Sequence, residues 1–120
     1  MHWGWENEAQ ANTRQQQLAK RMIEAGADAV IGGHPHVTQN IDFHLGKPII
    51  YSVGNFIIEE TDNPAQRQGW VVNLNIHKNG VQSFQTHIAR LDQLGIPQLD
   101  AQTPSPCWQK GWPKERLCAK

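Results

Sequence analysis

The chain has 120 residues and a mass of 13.6 kDa, enough for one domain with one core and little room for a second. Eleven basic residues balance eleven acidic ones, which leaves no electrostatic footprint for nucleic acid or an anionic bilayer. Apolar residues make up 38% before glycine is counted, so wholesale disorder is excluded, and no run approaches the roughly 20 apolar residues that span a bilayer.

The opening Met1-His2-Trp3-Gly4-Trp5-Glu6 lacks the basic-then-apolar pattern of a leader and reads as the middle of a longer sequence. From Gln10 to Ala25 strong helix formers set Leu18, Ala19, Met22 and Ile23 on one face, which predicts a one-sided amphipathic helix. Lys20 and Arg21 complement the partial charge of its C-terminus, and Gly26 can close it in a left-handed conformation. Asp28-Ala29-Val30-Ile31 then runs into Gly32-Gly33 without alternation, the pattern of a short, fully buried strand. Helix followed by buried strand predicts a layered α/β domain.

Two extended stretches, Ile41 to Leu45 and Pro48 to Val53, flank Gly46-Lys47 and predict a hairpin, with Gly54-Asn55 punctuating the second. Glu59 to Gln68 reads as a polar surface loop around the turn signal Asp62-Asn63-Pro64. Trp70, Val72, Leu74 and Ile76 alternate with polar partners, and Val81 to Arg90 returns with Phe84 and Ile88 on one face. Asn79-Gly80 offers the positive-φ residues of a primed turn between them. His77 and His87 fall on the polar face of that hairpin and read as solvated. Beyond Leu94, four prolines with scattered Gln and Trp predict an irregular tail over residues 95–120, laid on the surface of a domain spanning residues 1–94. The only cysteines, Cys107 and Cys118, lie in this tail. A disulfide would tie down a segment with little core of its own, worth about 3 kcal/mol by loop closure, and would point to oxidising surroundings. Two reduced thiols are the alternative.

The chemistry is concentrated in Gly33-His34-Pro35-His36. In extended backbone the i, i+2 spacing turns both imidazoles to one side, where a single ion could reach both. The pair follows a strand, and ligands collect at the carboxyl ends of strands in open α/β sheets. A surface turn with two uncoordinated histidines is the competing reading. His2 is a weaker signal, and Glu6, Asp42 and His44 could supply further ligands or their partners without the spacing selecting among them. Trp3 and Trp5 read as packing residues rather than a sugar platform. Phosphate loops, CxxC pairs and Gly-x-Ser-x-Gly elbows are absent, and Ser52 lacks the flanking glycines of an exposed nucleophile.

Several motifs in order, His2-Trp3-Gly4, Glu24-Ala25-Gly26-Ala27-Asp28, Gly33-His34-Pro35-His36-Val37 with Gln39, and Lys47 to Phe56 through Tyr51-Ser52-Val53-Gly54-Asn55, carry a resemblance over His2 to about Ile58. The sequence resembles the poly-γ-glutamate capsule biosynthesis (CapA-like) family within the calcineurin-like metallophosphoesterase superfamily. That resemblance implies the C-terminal part of an α/β/β/α sandwich, here one main helix followed by mixed and antiparallel strands. It implies His34, His36 and His2 as ligands of a divalent ion of Zn, Mn or Fe type, His2 and His36 as catalytic groups, and Asn55 as a substrate-binding residue lining the pocket. The superfamily's Asp and Asn-His motifs do not precede His2, so the resemblance implies a C-terminal portion with half of a dinuclear site missing, inactive alone although the longer protein would be a metal-dependent hydrolase. Implied partners are an anionic polymer or phosphoester substrate, other capsule synthase subunits and, through an exposed sheet edge, a second copy. The implied location is extracytoplasmic, periplasmic or membrane-associated. A non-catalytic module gripping polyglutamate or a synthase partner is the alternative, and a scaffold with an empty site is a further one.

Overall fold

The structure is a computed structural model that describes residues 1–58 and 61–119. Among the described residues the single α-helix, α1, runs over Thr13–Glu24, three residues later than the composition predicts. Asn12 explains the start. Its side chain accepts from the Gln15 N–H at 2.9 Å while the Gln15 side chain accepts from the Asn12 N–H at 3.0 Å, a reciprocal cap that satisfies two otherwise orphaned donors. The buried face is Gln15, Ala19 and Ile23, one residue round from the expected one, and Leu18 is exposed. A glutamine can occupy that face because its Nε2 donates to Gln39 Oε1 at 2.9 Å, and a paired buried amide avoids the desolvation penalty.

Three short strands follow: β1 (Val30–Ile31), β2 (Ile41–His44) and β3 (Lys47–Ile50). The central strand, β3, pairs parallel with β1 and antiparallel with β2. Residues 1–3 lie on the other side of β1, with Gly33 N–H donating to Met1 O and Trp3 N–H to Gly33 O, and His2 opposite Gly33 in parallel sense. Alternation along β3 and just beyond divides the interior. Ile49 and Tyr51 join Trp3, Ala19, Ile23 and Val30 beneath the helix, whereas Ile50 faces the second sheet.

That sheet contains β4 (Gln68–His77), β5 (Gly80–Leu91), β6 (Pro97–Asp100), β7 (Ser105–Gln109) and β8 (Arg116–Cys118). Its order is β4-β5-β7-β8, with β6 paired to the far end of β5. Trp70 faces Ile88 and Leu74 faces Phe84 as expected, and Trp70, Leu74 and Phe84 close over Ile50 with Trp108. The result is helix, sheet and sheet in three layers, a mixed α/β arrangement consistent with the C-terminal part of a metallophosphoesterase-like sandwich.

Two expectations change. Lys78 and Asn79 make the β4–β5 turn, and only Gly80 has positive φ, at +104°. The segment 95–120, expected to be irregular, carries three strands. Pro97, Pro104 and Pro106 sit at strand starts or boundaries, where a missing N–H costs little. Asp100 ends β6 by accepting from the N–H groups of Gln102 and Thr103 and from Arg90 Nε, and these donors hold its carboxyl far below the usual carboxylate range, Thr103 contributing most. The predicted Cys107–Cys118 bridge is present, with Cα atoms 5.8 Å apart, and joins β7 to β8. Of the polar loop, Asn63 caps a turn of 3-10 helix at Pro64–Gln66, and Glu59 and Glu60 lie outside the described residues.

Candidate metal centre

Strand β1 delivers the chain to Gly32, and His34 and His36 then occupy positive φ, +102° and +61°. The backbone is therefore not extended, and the i, i+2 argument fails in its geometry. Left-handed positions of this kind cost about 1–3 kcal/mol each and persist only where the surroundings over-determine them. The two rings nevertheless meet, with centroids 5.8 Å apart and edge to face, while Pro35 between them is buried. The histidines stay half-buried.

The opening segment reaches the same place. Because residues 1–3 run parallel to β1, the residues after them emerge at the strand end that carries the histidines. Gly4 and Asn7 turn the chain at positive φ, and Asn7 N–H donates to Pro35 O at 2.8 Å. Glu6 is thereby brought over the loop, and one carboxylate oxygen of Glu6 and one nitrogen each of His34 and His36 lie within 4.8 Å of one another. Among the described residues this is the one such group. His2 lies outside it, its ring tilted 39° to that of His34 with centroids 4.3 Å apart. Glu6 was one of three undifferentiated candidates in the sequence. Parallel pairing of residues 1–3 is the signal that would have selected it. The other two face elsewhere: Asp42 accepts from Tyr51 OH at 3.2 Å and His44 pairs with Glu24 at 3.0 Å.

Asn55 is brought to the site as well. It is buried, with Oδ1 2.9 Å from His36 Nδ1 and Nδ2 donating to the main-chain O of Gln66 at 2.9 Å. Gln66 in turn donates through Nε2 to Asn7 Oδ1 and accepts from Thr61 Oγ1. Gly69 lets β4 pass against this segment, since a Cβ there would lie 2.0 Å from Asn55 O.

The remaining sequence candidates divide cleanly. Trp3 packs under α1 and donates from Nε1 to Tyr51 O at 2.7 Å. Trp5, expected to pack, is 71% exposed and borders a groove of about 350 Å³ shared with His2, Arg14 and Leu18. Ser52 is buried and its hydroxyl accepts from Gly54 N–H. His77 is exposed, and His87 is half-buried against Asn73.

The donor set is chemically suited to a divalent ion. Two imidazoles and a carboxylate are the ligand types of Zn, Mn and Fe sites, and three protein ligands leave positions open for water or substrate.

Residues 1–60 match the family model for bacterial capsule synthesis protein PGA_cap, so the whole donor group and Asn55 lie within the match. The chain is 40% identical over 91 residues to the PGA biosynthesis protein CapA of Bacillus subtilis (strain 168), covering 70% of this chain and 22% of that protein. It is 44% identical over 69 residues to the capsule biosynthesis protein CapA of Bacillus anthracis, covering 58% and 15%. An uncharacterized protein of Sinorhizobium fredii, y4sH, is 42% identical over 50 residues, covering 42% and 11%. The chain thus spans under a quarter of the length of each of these relatives.

Proposed function

This chain belongs to the bacterial capsule synthesis protein family, and from that premise we propose that it carries a divalent-metal site of a capsule-polymer protein, hydrolytic in the longer protein and binding-competent in this chain. The observation that supports this reading is the convergence of Glu6, His34 and His36 at the carboxyl end of β1. These three residues would hold the ion. When bound, it supplies Lewis acidity to water and to the scissile group.

The other residues take roles in orientation and charge. His2, beside His34 but outside the donor group, contacts the anionic substrate or moves a proton beside it. His36 is shared between the donor group and Asn55. The adjoining groove offers the Arg14 guanidinium and the exposed Trp5 indole, a pairing suited to a carboxylate-rich polymer such as poly-γ-glutamate. An alternative partner is a phosphoester. We place the activity outside the cytoplasm beside other synthase subunits, where the Cys107–Cys118 bridge would persist.

The groove also favours a second reading, a module that grips the polymer without cleaving it. Two-metal hydrolysis requires ions held about 3.5–4 Å apart, and among the described residues only one three-donor group exists. The 120-residue chain is therefore expected to bind one ion and to leave a chromogenic phosphodiester intact.

Calorimetric titration of zinc into the metal-free, untagged chain tests the site. One ion per chain is expected, with His36→Ala and Glu6→Gln each weakening it roughly 10-fold or more. Unchanged affinity in His36→Ala would overturn the metal reading. Turnover of the phosphodiester that His36→Ala abolishes would overturn the single-ion account and the binding-only reading together.

A further inference from the structure

We propose that Asn55 is a positioning residue for His36: it fixes the neutral ring in its Nδ1–H tautomer and leaves Nε2 as the nitrogen free to bind an ion. The inference deepens the metal-site reading and rests on it for its purpose, though its geometry stands apart from any ion.

The tautomer follows from a chain of donors and acceptors. A main-chain carbonyl only accepts, so the Asn55 atom 2.9 Å from Gln66 O must be the amide nitrogen Nδ2. Oδ1 then faces His36 Nδ1, also at 2.9 Å. An amide oxygen only accepts too, so Nδ1 carries the proton. A neutral imidazole has one N–H, and Nε2 keeps the lone pair a metal requires. Asn55 would have no preference for either ring tautomer if its amide could turn over, and Gln66 O prevents that.

The same network reaches the carboxylate. Asn55 is 9% exposed, and its backbone is pinned where Gly54 and Gly69 bridge. Gln66 Nε2 donates to Asn7 Oδ1 at 2.6 Å, and Asn7, next to Glu6, donates its N–H to Pro35 O between the two histidines. One run of amides therefore sets the imidazole's tautomer and anchors the turn that carries Glu6. A residue that merely lined a substrate pocket would not need both ends of its amide committed within the protein.

Long-range ¹H–¹⁵N NMR of the metal-free chain reads the tautomer directly. His36 is expected as Nδ1–H in the native chain, and this measurement needs no variant. Asn55→Leu should release the ring to the tautomer mixture of a free imidazole and weaken zinc binding by about 10–100-fold. Gln66→Ala keeps the main-chain O and should leave the tautomer unchanged. An Nε2–H ring in the native chain, or an unaltered tautomer in Asn55→Leu, would overturn the proposal. A native Nδ1–H ring in a chain that binds no zinc would sink the metal reading alone and leave the positioning role standing.

Discussion

Residues 1–58 and residues 68–119 reach order by opposite routes. The second region is built on long strands: β4 and β5 pair over ten positions, with alternating apolar side chains on the inner face. The first has strands of two to four residues and adds side-chain amides to the apolar cluster beneath α1. Asn12 caps α1, Gln15 binds Gln39, Asn40 accepts from Ala11 N–H, and Asn55 and Gln66 lock the histidine loop. Among the described residues no buried side-chain polar atom lacks a partner. Fully satisfied polar networks specify one arrangement more sharply than apolar packing does, and a site needs that where its backbone is held at positive φ. The candidate donor group accordingly lies in the region that short strands alone could not hold.

The comparison breaks if the regions fold independently. Phe84, 1% exposed, stacks on Trp108 and joins Ile50 in the core between the sheets. Phe84→Ala is expected to cost about 3–5 kcal/mol. Because Ile50 also belongs to β3, tryptophan fluorescence and the His36 ring signals should report one shared unfolding transition at a lower denaturant midpoint. Histidine signals that keep their native midpoint while fluorescence shifts would show two separate cores.

The comparison sharpens if a change in the outer sheet spares the site. The Cys107–Cys118 bridge closes a short loop, eleven residues apart, between β7 and β8. Its removal by Cys107→Ser with Cys118→Ser should cost about 3 kcal/mol through loop-closure entropy, read as a lower melting temperature, while zinc affinity of the folded chain stays at the native value. A parallel fall in affinity would mean that the tail supports the histidine loop.

The two regions also differ in how far their sequences disclosed them. The β4–β5 ladder was legible because period-two alternation and burial are the same signal read twice. The tail was not, since Pro97 and Pro106 argue against strands unless their partners are known, and the pairing that tolerates them is with β5 and β8. At the site, His34 and His36 were legible as residues and as neighbours. Their positive φ was not, because nothing in Gly-His-Pro-His requires it until Asn7 and Asn55 approach from distant parts of the chain. Glu6 needed the parallel pairing of residues 1–3, a long-range fact. Gln15 gave no apolar signal in the sequence and is buried, for its partner Gln39 lies 24 residues away.

The smallest expected effect tests a polar pair inside the first region. Tyr51 is buried beneath α1, and its hydroxyl donates to Asp42 Oδ2 at 3.2 Å. Burial, and then the Asp42 charge, push its phenol well above the ordinary tyrosine range. The native state thus favours the neutral phenol. Its contribution to stability is complete below the unfolded-state pKa of about 10 and falls as pH rises beyond it, because the unfolded chain ionises there and the native chain does not. Tyr51→Phe should cost about 1 kcal/mol near neutral pH, for one hydrogen bond. The gap between the two proteins should then narrow above pH about 10. Denaturation midpoints that stay parallel across that range would show that the hydroxyl is not held neutral, and that the amides alone, rather than polar pairs in general, stiffen the region carrying the site.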